Sequence, residues 1–364
     1  MEIKRIVCTV TNDLNYDQRM IRICSSLAKA GYDVLLVGRH RKKSLPLETK
    51  SFQQKRLSCF FDKGKLFYVE YNLRLFIYLL FVKVDIICAI DLDTILPCLF
   101  MSKIRSKKRV YDAHELFCEM EEIVIRPKIY KMWKAIEKFT VPQFKHGYTI
   151  GDCYANEFEK MYHVKYAIVR NATVLKPYTE PISNERYILY QGAVNEGRSF
   201  ETLIPAMQYV DCKLIICGEG NFFQQANELV KQFGLQERVI FKGYVEPQNL
   251  IDYTRNATIG ITLFTNQGKS NYLSMANRFF DYMHSCIPQL CVAYPEYIKV
   301  NEEFDIANLI SDTKIETIAN ELNHMLHDEK HYHQMKSNCL RAREVYCWEE
   351  QEKTLITFYK NLLG

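Results

Sequence analysis

Strand-length apolar runs alternate with stretches of helical spacing along almost the whole chain, and this alternation constrains the fold more than any other feature. The run "IKRIVCTV" (residues 3–10) is β-branched, residues 12–31 carry helical spacing that stops at Gly31, and "YDVLLVG" (32–38) is the next strand. The order continues through a helix near Leu73 to Val82, the strand "VDIICAID", a helix from Thr94, the strand "RVYDA", a long helical region after His114 and a last strand at "HGYTIG". Strands separated by helices pair in parallel through right-handed crossovers.

A polar connection bearing Pro177 and Pro181 interrupts the series, which then resumes with "RYILYQG", "CKLIICGEG", "RVIFKGYV", "TIGITLF" and "PQLCVAY" as strands between helices. A chain of 364 residues exceeds what one hydrophobic core ordinarily serves. The expected fold class is therefore α/β, two Rossmann-like, doubly wound parallel-sheet lobes facing across a cleft, with the boundary near residue 175 and a helical stretch closing the chain. Ligands of such sheets bind beyond the carboxyl ends of the strands, so residues just after strands are the ones to weigh.

Composition removes several function classes. The 48 basic residues are nearly balanced by 43 acidic ones, for a net charge of +5, so no nucleic-acid partner is implied. The 13 cysteines contain no Cys-x-x-Cys pair, which argues against a disulfide framework or a zinc site and favours a reducing, cytoplasmic setting. The apolar run at the start is too short for a signal peptide. The most apolar segment, residues 73–93, is broken by Arg74, Lys83 and Asp85 and reads as a buried helix followed by a strand, with an interfacial membrane segment as the alternative. Basic clusters at residues 39–44, 103–109 and 126–139 are either solvated lysines or a contact with an anionic membrane at the inner face.

After the first strand, Asp13, Gln18 and Arg19 stand at a loop-to-helix junction able to hold a phosphate or a sugar, with Asn12 or Asp13 as the helix cap. Asp91 and Asp93 follow "DIICAI", and His114 and Glu115 follow "RVYDA"; a histidine beside carboxylates can hold a hydroxyl or move a proton near neutral pH. In the second lobe Gly192 and Gly197 permit close backbone approach, and Arg198 stands at the mouth of a helix as a partner for a diphosphate or, in a purely structural role, for Glu196. Gly218 and Glu219 in "CGEGN" make room for a base or sugar without forming a dinucleotide fingerprint, and Gly268-Lys269-Ser270 lacks the earlier glycine of a phosphate-binding loop. Residues 270–290 read as a buried helix interrupted by Asn277, Arg278 and Asp281, led by a polar segment ending at Ser274; its first N–H groups would form an anion site. His327, His331 and His333 have a metal-like spacing but read as exposed residues on a charged helix, so no metal is expected.

Together, "TNDLNYDQRMIRICSSLAKAGYDVLLVGR", "IDLDT", "YDAHELFCE", "YQGAVNEGRSFETLIPAM", "IICGEGN" and "SMANRFFDYMHSCIP" resemble the retaining GT-B glycosyltransferases of family 4, in particular the bacterial branch of surface-polysaccharide synthesis. The resemblance implies an acceptor-binding lobe at 1–175, a nucleotide-sugar-binding lobe at 176–345 and a terminal helix, 346–364, packing back on the first lobe. It implies a UDP- or GDP-sugar donor with no further cofactor, and a glycan or polyprenyl-linked saccharide acceptor. Arg198 matches the residue that steadies the diphosphate, Asp281 the second acid of a Glu-x7-Glu pattern that holds the ribose, and His114 the group near the transferred sugar. Gly192, Gly197, Gly218, Glu219, Ser274 and Asn277 complete the donor side; Asp13, Gln18, Arg19, Asp91, Asp93 and Glu115 complete the acceptor side. The first acid of the pattern falls on Leu273 and a second basic residue on Ala193, so Arg278 is read as the replacement cation. Two other readings fit the same architecture: a nucleotide-sugar epimerase or hydrolase, and a non-catalytic binding subunit.

Overall fold

The computed structural model describes residues 3–183, 185–266 and 268–363. The chain divides into two compact units, residues 1–171 with 351–364, and residues 172–350. The division lies earlier than the prolines, because Asn171 accepts a bond from Arg22 of the first unit, while the Thr173 carbonyl accepts from the Trp348 N–H in the second.

The first unit is built on seven parallel strands: β1 (Arg5–Thr9), β2 (Asp33–His40), β3 (Gln53–Ser58), β4 (Ile86–Ile90), β5 (Lys108–Ala113), β6 (Gly147–Thr149) and β7 (Ala167–Ile168). Their spatial order is β3-β2-β1-β4-β5-β6-β7, so the direction of winding reverses between β1 and β4. β3 was not expected from the sequence. "QQKRLS" is an edge strand with exposed and half-buried side chains, so it carries no apolar run, and its backbone pairing with β2 defines it. β7, a second edge strand, lies beyond the anticipated last strand β6.

The helix Gly64–Phe81 departs from the expected buried helix. Only Phe67, Tyr71, Leu75 and Leu79, one side of the helix, are buried, and Leu66, Val69, Leu73, Ile77, Leu80 and Phe81 are exposed. At the far end of the chain, Phe358 and Tyr359 of the helix Trp348–Leu363 pack on Tyr148, and Tyr359 also reaches Tyr32. No helix among the described residues is long and apolar enough to cross a membrane.

The second unit has six parallel strands, β8 (Tyr187–Gln191), β9 (Lys213–Cys217), β10 (Val239–Gly243), β11 (Ile259–Thr262), β12 (Gln289–Val292) and β13 (Ala307–Ile310), in the order β10-β9-β8-β11-β12-β13. Both faces are covered, as a parallel sheet requires. Ile188 and Tyr190 enter the larger core with Ile216, Ile261 and Phe279, whereas Leu189 points to the other face, with Tyr282 and Ile287.

The expected single helix through residues 270–290 is two pieces, Lys269–Leu273 and Asn277–His284. The second is fastened by Tyr282. Its hydroxyl donates to the Leu189 carbonyl (2.9 Å) and accepts the Gln191 N–H (3.2 Å), and its ring lies where a side chain at Gly260 would stand, 2.5 Å from an added Cβ. Gly260 is therefore fixed by close approach, and Tyr282 sets the position of Arg278 one turn earlier. Tyr282→Phe leaves the Gln191 N–H buried without its acceptor and should cost about 1–3 kcal/mol, read as a lowered thermal midpoint with the secondary structure intact.

Candidate functional site

In the second unit, the loops after β8, β9 and β11 and the helix Asn277–His284 hold the candidate groups. The β8 loop turns at Gly192, which has a positive φ of 120°, and lies so close to the β9 loop that a Cβ on Gly218 would be 1.8 Å from the Gly192 carbonyl oxygen. Any other residue at Gly218 would push these loops apart. Gly197 also has a positive φ, 76°, just before Arg198. Glu219 is exposed, and its carboxylate accepts the Tyr244 N–H at 3.4 Å.

Two guanidinium groups meet on one aromatic ring. Arg198 lies 4.5 Å from the centre of the Phe264 ring and Arg278 lies 4.7 Å from the same centre. Arg198 also donates to Asn271 Oδ1 (3.3 Å). Arg278 is buried, donates to the Tyr190 hydroxyl (3.1 Å) and the Gln191 carbonyl (3.4 Å), and would stand 3.3 Å from a Cβ on Gly192. Its Nε is buried and has no hydrogen-bond partner. Two guanidinium groups against one aromatic face repel each other, and an anion bound by both would offset that repulsion. Ala276, at the start of the helix that carries Arg278, offers no capping side chain.

The remaining donor-side residues separate from this pair. Ser274 is half-buried and donates to the Asn271 carbonyl, Asn277 is exposed, and Leu273 and Ala193 stand where the resemblance has an acid and a base. Asp281 accepts Thr173 Oγ1 (2.7 Å) and Gln191 Nε2 (3.1 Å), and Gln191 in turn accepts Thr254 Oγ1 (2.7 Å). Its carboxylate is thus tied to the end of β8. Phe264, Tyr190 and Asn271 were missed in the sequence; the one signal for them was an aromatic residue immediately after a strand, in "TLFTN".

The first unit has its own cluster beyond β1, β4 and β5. Asp91 adopts a positive φ of 50°, a conformation uncommon outside glycine, and turns its carboxylate onto His114: Oδ1 accepts the backbone N–H (3.2 Å) and Oδ2 lies 2.9 Å from ring Nε2. Burial alone would pull the His114 pKa down. The charge and hydrogen bond of Asp91, with Asp112 behind it, outweigh burial and raise it to about 10. That raised value keeps His114 in its imidazolium form at neutral pH and favours, of its two readings, the group that holds a hydroxyl. Its Nδ1 is buried and has no hydrogen-bond partner.

The groups that titrate near neutrality are Asp93 and Glu115. Burial, with the Asp91 charge adding to it, pushes both carboxyls up to about 7. Asp93 keeps one bond, from Thr11 Oγ1 to Oδ2 (2.8 Å), while its Oδ1 is buried without a partner.

Of the other acceptor-side candidates, Arg19 and Asp13 are engaged in buried ion pairs and Gln18 is exposed. Arg19 is buried and forks onto buried Asp112 (Nη2 to Oδ1 2.7 Å, Nε to Oδ2 3.2 Å), with Nη1 on the Val169 carbonyl. Asp13 is buried in an ion pair with Arg56 (2.6 Å) and a bond from Ser44, and Gln18 is exposed at the helix start. The helix cap is Asp17, which accepts the Met20 N–H, instead of Asn12 or Asp13. Among possible metal ligands, His324, Asp328 and His331 bring their ligand atoms within 4.8 Å of one another. Of the sequence trio only His331 belongs to that group; His327 Nδ1 lies 2.6 Å from the Asn323 carbonyl.

The pKa pattern predicts the pH response of this cluster. The Asp93 and Glu115 carboxyls hold protons in the folded state up to pH about 7 that the unfolded chain releases near 4, so their contribution to stability falls as pH rises through that window. The His114–Asp91 contribution has its own window, full below about 6.5 and lost as pH rises toward about 10. Thermal midpoints measured across pH 4–7 should decline more steeply for the native chain than for Asp93→Asn. Parallel profiles would contradict the assignment.

Residues 175–341 match the family model described as Glycosyl transferases group 1, so this part of the chain is a domain of that kind. No curated protein sequence matches the chain. Among solved structures, sucrose-phosphate synthase from Thermosynechococcus elongatus superposes with a TM-score of 0.83 at 15% identity, covering 99% of each chain. HepE of Anabaena, in complex with UDP and glucose, gives 0.78 at 11% identity, covering 98% of this chain and 100% of that one. WaaG, a glycosyltransferase involved in lipopolysaccharide biosynthesis, gives 0.71 at 14% identity, covering 97% and 98%. The fold is that of the GT-B glycosyltransferases.

Proposed function

We propose that this chain, with a Glycosyl transferases group 1 domain at 175–341, is a family-4-type glycosyltransferase. It moves a sugar, with retention of configuration, from a nucleoside-diphosphate sugar to a glycan or polyprenyl-linked saccharide. The observation that carries the reading is the convergence of Arg198 and Arg278 on Phe264 beside the Gly192 turn. A diphosphate is an anion that both guanidinium groups could bind at once. HepE, bound to UDP and glucose, and WaaG, which acts in lipopolysaccharide biosynthesis, support a UDP-sugar donor and a cell-surface polysaccharide product, and the same reading puts the reaction in the cytoplasm at the inner membrane face.

In this reading the second unit binds the donor. Arg198 and Arg278 bind the diphosphate and stabilise the negative charge that grows on it as the glycosidic bond breaks. Gly192, Gly197 and Gly218 let the loops approach the nucleotide sugar, Glu219 faces its base or sugar, and Ser274 and Asn277 flank the anion. Asp281, oriented by Thr173 and Gln191, receives the ribose hydroxyls. In the first unit the His114 imidazolium donates to a sugar oxygen through Nδ1, while Asp91 fixes the ring. Asp93 and Glu115 accept acceptor hydroxyls. The departing diphosphate takes the acceptor proton on the face it leaves, so no protein nucleophile is needed.

The test is a thermal-shift series with UDP, GDP and ADP, followed by transfer assays on the matched UDP- or GDP-sugar. One diphosphate should raise the midpoint of the native chain by mass action and leave Arg198→Ala unmoved. Arg198→Ala should also lose about 10²–10³ in transfer rate without unfolding. A chain stabilised by no nucleoside diphosphate sinks the reading, and donor turnover that needs no acceptor replaces it with an epimerase or hydrolase.

A further inference from the structure

The helix Gly64–Phe81 is apolar on both sides, yet only one side is covered. Leu66, Val69, Leu73, Ile77, Leu80 and Phe81 recur at helical spacing on the side away from the sheet and are 42–79% exposed. An ordinary surface helix shows solvent a polar face, and a contiguous apolar stripe of this length marks a surface that meets something. The surface extends sideways. The helix Ile95–Ile104 packs between Gly64–Phe81 and Pro127–Thr140 and exposes Phe100 and Ile104, and the Phe139 ring of Pro127–Thr140 lies 6.4 Å from that of Phe100. Beside the end of the stripe a depression of about 530 Å³ is lined by Leu57, Ile77, Tyr78, Phe81 and Val82, with Arg74 at its wall.

Charge decides what covers this face. Exposed lysines border it: Lys63 and Lys65 at the start of the long helix, Lys83 just after its end, and Lys103, Lys131 and Lys138 on the two neighbours. The nearby acids are committed within the protein. Glu70 takes the Phe60 and Phe61 N–H groups and the Arg74 guanidinium, and Asp62 pairs with Arg39 and Lys42. Lys134, on the same neighbouring helix as Lys131 and Lys138, is held by Glu119 and Glu137 at 3.0 and 2.7 Å. A second copy of the chain meeting this face about a two-fold axis would set lysine against lysine. A bilayer with anionic headgroups offers apolar depth to the stripe and negative charge to its border.

We infer that the exposed side of Gly64–Phe81, with Phe100, Ile104 and Phe139, docks the protein on an anionic lipid bilayer. The face belongs wholly to the first unit, so the inference stands independently of the donor chemistry assigned to the second.

Co-sedimentation of the full chain tests it, using vesicles of phosphatidylcholine alone and of phosphatidylcholine with phosphatidylglycerol. The native chain should sediment with the anionic vesicles, weakly or not at all with the neutral ones, and less as salt rises. Leu73→Glu with Ile77→Glu, both at exposed positions and checked for an unchanged melting profile, should lower binding roughly tenfold or more. Lys63→Glu with Lys65→Glu should lower it while leaving the apolar stripe in place. Equal binding to both vesicle types, or undiminished binding by the Leu73/Ile77 variant, overturns the inference. So does concentration-dependent self-association in the absence of lipid that the Leu73/Ile77 variant abolishes, which would assign the face to a second copy. The UDP thermal shift of the same variant keeps failure here separate from failure of the donor site.

Discussion

The first unit depends on one buried ion pair. Arg19 and Asp112 are both almost fully enclosed, and two charges taken out of water are tolerated only when geometry and further hydrogen bonds compensate. Here the fork of Arg19 meets both carboxylate oxygens, and its third nitrogen finds the Val169 carbonyl beyond β7. The pair thereby fixes the end of β5 against the helix that follows β1. Asp112 in turn lies 4.0 Å from the His114 ring, and its carbonyl accepts the Asp91 N–H. The charge on His114 follows from Asp91, with Asp112 behind it, while the raised pKa of Asp93 and Glu115 comes first from burial and then from the Asp91 charge.

The second unit solves a related problem in the opposite way. Its two arginines are placed together without a carboxylate hydrogen-bonded to Arg278: the acceptors of Arg278 are a tyrosine hydroxyl and two carbonyls, and an aromatic ring serves both guanidinium groups. The nearest acid on the same helix, Asp281, is engaged by Thr173 and Gln191. A protein optimised only for stability would not leave such an arrangement. Sites that bind and release an anion carry this sort of deficit, because a cation already matched to an acid has little left to give a ligand.

Both parallel sheets were legible in the sequence, because strands covered on two faces are continuous apolar runs. β3 was not legible, since "QQKRLS" owes its conformation to the neighbour it pairs with and not to its side chains. The Lys269–Leu273 turn was merged with the following helix because the break at Ser274–Ala276 contains no glycine or proline. Among site residues, Arg198, Asp91 and His114 could be singled out as charged groups after strands, and Arg278 as a charge interrupting an apolar helix. That Arg19 and Asp13 are consumed by Asp112 and Arg56 could not, because those partners are 93 and 43 residues away and only tertiary structure brings them together. Phe264 was invisible for a related reason: an aromatic residue at a strand end usually belongs to the core, and its importance lies in two arginines from other segments.

One topological feature bears on how the molecule is made. The closing residues 351–364 belong to the first unit, so the second unit is in effect an insertion within it. Tyr32 and Tyr148, translated early, find Phe358 and Tyr359 only after every residue of the second unit has been synthesised. During translation the later unit can therefore close its core first, while the earlier one waits with an open aromatic seam. The unit that starts first finishes last, and that interval is when a chaperone would have most to hold.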